Sequence, residues 1–428
     1  MGSRAGIVVT GTEVLTGRVA DRNSPWLAEE LRRIGVDVAH VVVVGDRPDD
    51  LTAALGFLTG LGLDLVITSG GLGPTADDLT ADVVARFQGR PSRLDPDLEA
   101  HIASIIERLS AGRGWHLDPA ATAAGTRKQA LVPDGATVIA PVGTAPGLVV
   151  PPANGTTGPP VVVLPGPPRE LQGMWPAVVE APLVGAALRG RTELRQRTIR
   201  LWGTPESELA ATLRDHDDVL GGLEITTCLR DGELEIVTRF APGAQPAYDA
   251  LSQIVEEVYG QTLFSADGRT VDDIVADALR STGQTIATAE SCTGGLLAAR
   301  LTDRPGASAY VLGGVTAYAN SIKQGLLDVP EALLDQVGAV SAEVAEAMAA
   351  GIRARLGADI GVGITGVAGP DGGSAEKPVG LVHICVTGPD RSIARRIQLP
   401  GARADVRARA VVVAMHLIRN LLADEPPG

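Results

Sequence analysis

Strand-like and helix-like segments alternate through about the first 170 residues, and this alternation constrains the fold more than any other feature of the chain. Segments 5–10, 36–44 and 64–68 predict strands, the first of them buried, with helices predicted from Asn23 or Ser24 to residue 33 and over 49–59. The order βαβαβ predicts a largely parallel sheet with helices on both faces. Because ligands bind such sheets beyond the carboxyl ends of the strands, we expect an α/β domain with a site at that edge.

A glycine-rich loop follows the third predicted strand and reads SGGLGPTADD from residue 69 to residue 78. Glycines let backbone N–H groups approach a phosphate, and Asp77 and Asp78 provide carboxylates for a divalent cation that bridges it. The alternative is a tight turn in which Asp77 or Asp78 caps the next helix. The loop is neither a dinucleotide-binding G-x-G-x-x-G nor a P-loop, since no Lys-Ser/Thr pair follows.

Three further loops in the same half of the chain are rich in turn residues. They lie at 128–136, 141–147 and 164–170, next to strand-like segments. Taken singly, each is typical of a connecting turn. Loops that return to one edge of a sheet can equally line one pocket.

The middle of the chain, 175–264, predicts a small module without a recognisable chemical constellation. A strand over 197–202, a helix over 205–214, a hairpin around Asp231-Gly232 and a helix over 245–259 give a β-α-β-β-α order. We interpret it as a connecting or dimerisation module. The predicted domains are therefore 1–174, 175–264 and 265–424. The fold expected overall is α/β, with a mostly parallel three-layer N-terminal domain, a small α+β module and a C-terminal α/β domain.

Charge and cysteine usage exclude several classes of protein. The chain carries 51 Asp and Glu against 37 Lys and Arg, a net charge of −14, so it lacks the basic surface of a general nucleic-acid binder. The three scattered cysteines give neither a disulfide framework nor metal-ligand spacing. Without a signal segment or an apolar run that could span a bilayer, we expect a cytoplasmic protein that does not contact membranes.

The C-terminal domain contains a strand-turn-helix motif with a serine hydroxyl at its turn, which is a candidate nucleophile. Residues 284–289 predict a strand, Ser291 follows it, and Gly294-Gly295 precede a helix that begins at residue 296. This pattern predicts free backbone N–H groups at the start of the helix. A serine nucleophile also needs a base and an oxyanion site.

Lys323 is the candidate base. Only three of the 37 Lys and Arg residues are lysines, and a desolvated lysine can lose its proton whereas an arginine cannot. Chance retention is the alternative explanation for any one lysine. The usual base, histidine, is represented by His383 in an apolar strand, where a core role is favoured. Cys292 is the rival nucleophile, but no partner that would lower its pKa is evident, so Ser291 is preferred.

These motifs together resemble the CinA proteins (competence/damage-inducible protein A) over nearly the whole chain. The first half is similar to their molybdopterin-binding-like domain through GTE at 11–13, GGLGPTADD at 70–78, GTAPG at 143–147 and LPGPP at 164–168. The last domain is similar to nicotinamide-nucleotide amidases through AESCTGG at 289–295, Tyr318 with Lys323, and the glycine-rich segment 363–370.

For the last domain, the resemblance implies cofactor-free hydrolysis of nicotinamide mononucleotide to nicotinate mononucleotide and ammonia. Ser291 would be the nucleophile and Lys323 its base, assisted by Ser308 and Tyr318. The residues implied to form the substrate site, with one of the arginines near the phosphate, are Gly294, Gly295, Thr365, Gly366, Arg403 and Arg407.

For the first domain, the resemblance implies cleavage of the pyrophosphate of ADP-ribose, or of a related NAD-derived dinucleotide, with Mg²⁺, Co²⁺ or Mn²⁺. The implied metal ligands are Asp78 and Asp77, with Asp46 or Asp49 as companion. The implied nucleotide- and phosphate-binding residues are Thr12, Glu13, Asn23, Gly70, Gly71, Gly73, Thr75, Lys128, Gly143, Thr144, Pro165 and Gly166. A homodimer is implied as well. The alternative function is a molybdopterin- or nucleotide-binding protein with a vestigial amidase domain.

Overall fold

The structure is a computed structural model that describes residues 2–113, 118–191, 193–230 and 232–423. It divides into two compact units, Met1–Arg195 and Gln196–Gly428. Asp231 of the predicted hairpin turn and residue 424, the last of the predicted C-terminal domain, lie outside the described residues. No described helix has both the length and the apolar character needed to cross a membrane.

The first unit is built on a sheet whose described strands number six, in the order β2-β1-β3-β8-β7-β6. Strands β2, β1, β3 and β8 are parallel, and β7 is antiparallel to both β8 and β6. A small antiparallel pair, β4 with β5, lies apart from the main sheet. The strands are β1 (Arg4–Thr10), β2 (Asp37–Val44), β3 (Leu65–Ser69), β4 (Ser92–Leu94), β5 (Leu131–Pro133), β6 (Thr137–Ile139), β7 (Gly147–Val150) and β8 (Val161–Leu164).

Helices cover both faces of this sheet, because the central strands are apolar on both sides. Leu27, Leu31 and Trp175 pack on one face, whereas Leu55 and Val84 pack on the other. The predicted parallel three-layer arrangement is confirmed. The helices are α1 (Thr12–Leu15), α2 (Asn23–Arg33), α3 (Pro48–Gly60), α4 (Thr80–Phe87), α5 (Pro96–Arg113), α6 (Pro119–Gln129), α7 (Pro168–Glu180) and α8 (Pro182–Ala187).

The second unit begins with a sheet whose described strands follow the order β10-β11-β9-β12. Its elements are β9 (Arg195–Trp202), α9 (Glu206–Asp215), β10 (Leu223–Arg230), β11 (Glu233–Phe240), a 3₁₀ turn (Pro242–Ala244), α10 (Gln245–Tyr259) and β12 (Leu263–Ser265). Tyr248, Leu251 and Val255 of α10 are buried on one helix face and pack into the core of this module. The β-α-β-β-α prediction omitted the short strand β12, which pairs antiparallel with β9.

The rest of the second unit is an α/β layer structure with the described strand order β14-β13-β15-β16-β17. Strands β14, β13 and β15 are parallel, and β16 is antiparallel to both β15 and β17. The strands are β13 (Ile286–Glu290), β14 (Val311–Thr316), β15 (Ile360–Gly366), β16 (Leu381–Thr387) and β17 (Ser392–Gln398).

Helices on both faces of this sheet enclose its core. The closing helix α16 is buried along most of its length and packs against α11 and the sheet. The helices are α11 (Val271–Thr282), α12 (Leu296–Thr302), α13 (Asn320–Leu327), α14 (Glu331–Val337), α15 (Ala342–Leu356) and α16 (Arg403–Leu422), with a 3₁₀ turn at Ala307–Ala309. The α/β class predicted for this domain is confirmed.

Candidate functional site

Three neighbouring parallel strands end together at one edge of the C-terminal sheet. Glu290, the last residue of β13, pairs with Thr316 at the end of β14 and with Ile364 in β15. Ser291 therefore lies beside the residues that follow β14 and beside Thr365. Its backbone N–H donates to the Ile364 carbonyl at 2.9 Å, which ties the serine to the sheet. This is the strand-end position where α/β sheets bind ligands.

Lys323 reaches this edge from α13 and contacts the serine. Its side chain is only 1% exposed, and Nζ lies 3.2 Å from Ser291 Oγ. Nζ also donates to the carbonyl oxygens of Ala317 at 2.8 Å and Tyr318 at 3.2 Å. Burial lowers the pKa of the Lys323 ammonium below its ordinary value, because the charged form loses hydration.

These partners suit a neutral lysine that serves as a base. A neutral amine has two N–H donors and one lone pair, and two carbonyl oxygens lie within donating distance of Nζ. With both donors used in this way, the lone pair can accept the proton of Ser291. The structure thus brings together the two residues predicted as nucleophile and base, within hydrogen-bond distance of each other.

The start of α12 differs from the prediction, because a carboxylate occupies its backbone N–H groups. Glu290 is 1% exposed, and its carboxylate accepts from the N–H groups of Gly295, Leu297 and Ala298 at 2.8 to 3.0 Å. Helix starts favour negative charge for the same reason that they bind anions. These three donors, predicted to be free, therefore stabilise Glu290 and the turn that carries Ser291.

Cys292, the rival nucleophile, is buried in the core. Burial raises the pKa of its thiol to about 11, so the reactive thiolate is strongly disfavoured near neutral pH. Arg407 holds this turn from α16, donating to the carbonyl oxygens of Cys292 at 3.1 Å and Thr293 at 2.8 Å. The Cys292 thiol therefore packs in the core. Ser291 is preferred as the nucleophile because burial keeps the thiol protonated.

Tyr318, whose backbone carbonyl accepts from Lys323, and its partner Arg403 are exposed. Tyr318 is 59% exposed, and its hydroxyl accepts a 2.8 Å hydrogen bond from Arg403 Nη2. Arg403 also donates to the Gly369 carbonyl at 2.8 Å. Because the tyrosine oxygen accepts from the guanidinium, its own proton is available to a ligand.

The remaining predicted substrate residues are part of the loops that frame the serine. Gly294 and Gly295 have φ of 61° and 98°, a backbone region that favours glycine. Thr365 is buried and donates to the Ala339 carbonyl at 2.7 Å. Gly366 approaches the Leu381 carbonyl so closely that a Cβ would displace it. Turn formation and close packing therefore account for the conformations of these loops.

Ser308 is not brought to this site, which corrects its assignment as an accessory residue. It lies in the 3₁₀ turn before β14, and Val311 at the start of β14 pairs with Ile286 at the start of β13. Ser291 follows the other end of β13. With roughly 3.3 Å per residue along a strand, the two serines lie at opposite edges of the sheet.

His383 behaves as the core residue that its apolar strand predicted. It is 7% exposed in β16, opposite Thr365, and burial lowers the pKa of its imidazole. Its Nδ1 is buried without a hydrogen-bond partner among the described residues. The amine that contacts Ser291 is that of Lys323.

In the first unit, a cavity of about 680 Å³ opens at the carboxyl ends of β1, β3 and β8. This volume is within the range of small-molecule pockets. The predicted residues that line it are Glu13, Asn23, Asp46, Gly70, Gly71, Gly73, Thr75, Asp77, Asp78, Thr144, Pro165 and Gly166. The structure therefore brings most of the predicted N-terminal set together around one cavity.

Thr75 organises the acidic end of the glycine loop. Its backbone N–H donates to Asp78 at 2.9 Å, and its hydroxyl lies within hydrogen-bond distance of Asp77 and Asp78. The hydrogen bond from Thr75 lowers the pKa of Asp77. Lys128 donates to the Thr75 carbonyl, and a Cβ at Gly73 would collide with the Asp78 carboxylate. Both aspartates are thus held at the cavity, but neither caps α4, for which no side-chain capping bond is formed.

Asp46 reaches the cavity whereas Asp49 does not. Asp46 accepts from the backbone N–H of Thr12 at 2.8 Å and from its hydroxyl at 2.9 Å. Asp49 is exposed in the first turn of α3 and is absent from the described cavity lining. Of the two companions implied for Asp78, Asp46 lies at the cavity, whereas the exposed side chain of Asp49 does not.

A buried amide joins three segments of the cavity wall. Asn23 Nδ2 donates to Ser69 Oγ at 2.8 Å and to the Gly166 carbonyl at 2.7 Å. Glu170, which the sequence reasoning did not select, also lines the cavity and packs against Gly143, where a Cβ would collide with its carboxylate. Burial raises the pKa of the Glu170 carboxyl. The sequence did offer a signal for this residue, since Glu170 lies in the first turn of a helix that begins at the proline pair 167–168.

The carboxylates of this cavity fit a metal that a substrate helps to hold. Among the described residues, no group of three or more His, Cys, Asp or Glu side chains is arranged to hold a metal ion. Mg²⁺ is commonly held by one or two carboxylates together with substrate phosphates and water. Asp77 and Asp78, side by side at the glycine loop, meet that requirement.

Comparisons with known proteins cover both halves of the chain. Residues 268–422 match a family described as "CinA C-terminal domain", and residues 6–185 match one described as "Probable molybdopterin binding domain". The chain is 57% identical over 428 residues to a "CinA-like protein" of Mycobacterium sp. (strain MCS), covering 99% of this chain and 100% of the relative. It is 58% identical over 427 residues to that of Mycolicibacterium gilvum (strain PYR-GCK), covering 99% of each.

Solved structures align with single parts of the chain. A competence-damaged protein (CinA) superfamily protein from Klebsiella pneumoniae covers 36% of this chain and 99% of its own, at 34% identity and a TM-score of 0.35. The molybdopterin biosynthesis enzyme MoaB from Thermus thermophilus covers 44% of this chain and 97% of its own, at 20% identity and a TM-score of 0.29.

Proposed function

The chain belongs to the CinA family, and on this premise we propose that its C-terminal domain hydrolyses the carboxamide of nicotinamide mononucleotide, giving nicotinate mononucleotide and ammonia. The observation that carries the proposal is the contact between Ser291 Oγ and the buried Nζ of Lys323 at 3.2 Å. Nucleophile, base and strand-end position occur together in the half of the chain that resembles nicotinamide-nucleotide amidases.

The proposed reaction begins with neutral Lys323. Its lone pair takes the Ser291 proton while Oγ attacks the carboxamide carbon, and the carbonyl π electrons move to oxygen. Lys323 then gives this proton to the departing nitrogen, so that ammonia leaves and an acyl-serine ester remains. Water attacks the ester with Lys323 again as base, Lys323 passes that proton to the departing Ser291 oxygen, and the product acid loses its remaining proton to solvent as the nicotinate carboxylate is released. Each proton accepted by Lys323 is returned within the cycle.

The neighbouring side chains take binding and positioning roles in this proposal. Tyr318, whose hydroxyl accepts from Arg403, has its own proton available for the substrate. Arg403, an exposed guanidinium bound to Tyr318, would bind the substrate phosphate. Arg407, bound to two carbonyls of the nucleophile turn, is a positioning residue. Glu290 also acts through the turn, by holding the start of α12.

Ammonia release from nicotinamide mononucleotide tests the amidase directly. We expect release by the parent protein and its loss in Ser291→Ala. Cys292→Ala is the matched control at the adjacent residue and should keep the activity, because the thiol is a packing group. An inactive parent, or a Ser291→Ala variant as active as the parent, would remove the proposal.

For the N-terminal domain, we propose metal-dependent cleavage of the pyrophosphate of ADP-ribose or a related NAD-derived dinucleotide. Support comes from the 680 Å³ cavity, where a glycine loop and the Asp77–Asp78 pair meet. Asp77 and Asp78 would hold the divalent metal, which would neutralise charge on the phosphates when bound. Asn23 and Thr12 would hold the wall segments in place through their hydrogen bonds to Gly166 and Asp46.

Formation of AMP from ADP-ribose tests this second activity, with Mg²⁺, Co²⁺ and Mn²⁺ supplied in separate reactions. AMP formation that requires one of these metals is the expected result. Binding of ADP-ribose without AMP, in a protein that also releases no ammonia, would favour the alternative of a nucleotide-binding protein with a vestigial amidase domain. A homodimer is a further proposal, which light scattering of the purified chain tests.

A further inference from the structure

A second large cavity lies in the second unit, apart from the residues around Ser291. It measures about 740 Å³, within the range of small-molecule sites. Its walls come from β9, Leu229 and Gly232 on one side and from β17 and α16 on the other. Neither proposed reaction uses this space.

The lining of this cavity is basic in an acidic chain. Arg395, Arg409 and Arg419 all line it, and none of its described lining residues is Asp or Glu. In the whole chain Asp and Glu outnumber Lys and Arg by 51 to 37, so this concentration of guanidinium groups departs from the overall balance. Guanidinium groups bind phosphates through paired hydrogen bonds.

Apolar side chains form the rest of the wall. Ile397, Val413 and Trp202 line the cavity beside the arginines. The Trp202 ring is fixed in place, since His416 stacks on it at a centroid distance of 4.3 Å and the Arg395 guanidinium lies 5.4 Å from its centre. A rigid apolar wall beside several cations suits a ligand with both a flat organic part and a phosphate.

Helix α16 contacts the Ser291 turn with one face and this cavity with another. Arg409 and Val413 are four residues apart on α16 and share one helix face. Arg407, which binds the nucleophile turn, precedes Arg409 by two residues, a rotation of about 200° around the helix. The two arginines therefore point in nearly opposite directions, and the cavity is separate from the amidase site.

We propose that this cavity binds a phosphorylated small molecule of nucleotide size. The arginines would hold the phosphate, and the wall of Ile397, Val413 and Trp202 would contact the organic part. This site is independent of the proposed hydrolase activities, since it shares no residue with either.

Titration of the full-length protein with AMP, followed by tryptophan emission, tests the proposal. We expect a saturable change because Trp202 lines the cavity, and its loss in Trp202→Phe. Arg395→Gln and Arg409→Gln should each raise the Kd roughly tenfold or more, since each removes a charged hydrogen-bond donor. Arg355→Gln, at an exposed arginine of α15 outside the cavity, is the matched control and should bind as the parent does.

Three outcomes would overturn the site. One is an AMP response that keeps its full amplitude in Trp202→Phe, which would come entirely from tryptophans elsewhere in the chain. Another is unchanged affinity in folded Arg395→Gln and Arg409→Gln, with unfolding midpoints measured for both. The third is an equal response to adenosine, which would show that the phosphate does not contribute to binding. Arg409→Gln keeps the test valid if Arg395→Gln, which lacks the cation beside Trp202, does not fold.

Discussion

Replacement of Lys323 by arginine separates the positive charge of this residue from its ability to act as a base. Arginine keeps the positive charge and the hydrogen-bond donors, but it remains protonated under all conditions of the assay and cannot act as a base. Lys377→Arg is the matched control, since Lys377 belongs to the same domain and donates to a carbonyl, that of Val337. A role for charge alone would leave both variants active.

The size of the expected loss follows from the role assigned to the amine. General-base catalysis contributes about 10²- to 10⁴-fold, or roughly 3 to 5 kcal/mol in the activation free energy. Lys323 is 1% exposed, so the larger guanidinium must displace neighbours, at about 1–3 kcal/mol in the free energy of unfolding. Lys323→Met fits the space better but leaves the Ala317 and Tyr318 carbonyls without their donor. We expect this to lower the free energy of unfolding by about 1–3 kcal/mol.

The assay is the rate of ammonia release at saturating nicotinamide mononucleotide, with the thermal unfolding midpoint measured for each protein. We expect Lys323→Arg and Lys323→Met to remain folded at the assay temperature and to lose at least about 100-fold in kcat. Lys377→Arg should remain close to the parent. A folded Lys323→Arg variant that keeps more than about a tenth of the parent rate would refute the base role, because the loss would fall below the range for a general base.

Further predictions concern pH, an excluded serine, the metal carboxylates and stability. The parent kcat should rise with pH and level off below the ordinary lysine pKa of 10.5, because burial lowers the pKa of Lys323 and only the neutral amine is active; a profile that falls as pH rises would contradict this. Ser308→Ala should leave ammonia release unchanged, and a large loss would return Ser308 to the site. Asp78→Asn should strongly reduce AMP formation from ADP-ribose, whereas Asp49→Asn, outside the cavity, should not; equal effects would remove the metal assignment. Burial lowers the pKa of His416 from 6.5 to about 4, so the unfolded chain binds more protons between these values and stability is lost as pH falls through this window, by up to roughly 3 kcal/mol. Denaturant unfolding at pH 7 and pH 4.5 should show a smaller decrease for His416→Phe than for the parent, and equal decreases would exclude His416 as the source.

Local patterns predicted much of the fold. The apolar run at 5–10 corresponds to β1 (Arg4–Thr10), and the helix predicted over 245–259 corresponds to α10 (Gln245–Tyr259). These signals are local, since a strand that is buried on both faces needs a continuous apolar run and an amphipathic helix needs its own period. The short strand β12 (Leu263–Ser265) was missed because three residues carry no period of their own. Its assignment depends on pairing with β9, which lies about 60 residues earlier.

In the candidate sites, too, residues with a local sequence signal could be predicted, whereas positions that depend on the tertiary fold could not. Ser291 and Lys323 could be chosen from residue chemistry, because a hydroxyl at a glycine turn and a rare lysine are visible in the sequence. The position of Ser308 depends on strand register, which places it at the opposite edge from Ser291. Asp46 and Asp49 are three residues apart, but Asp46 precedes α3 and lines the cavity, whereas Asp49 lies in the first turn of α3 and does not.

Glu290 changes the chemical interpretation of the nucleophile turn. Because its buried carboxylate accepts from three N–H groups at the start of α12, those donors are already engaged when a substrate arrives. Together with Arg407 and the Ser291–Ile364 bond, Glu290 fixes the turn before the reaction, so little reorganisation is required of the serine. In the proposed amidase reaction, the charge that develops on the carboxamide oxygen would then have to be stabilised by other donors. Tyr318 has a hydroxyl proton available, since its oxygen accepts from Arg403, which makes it one group to vary once the Ser291–Lys323 pair has been tested.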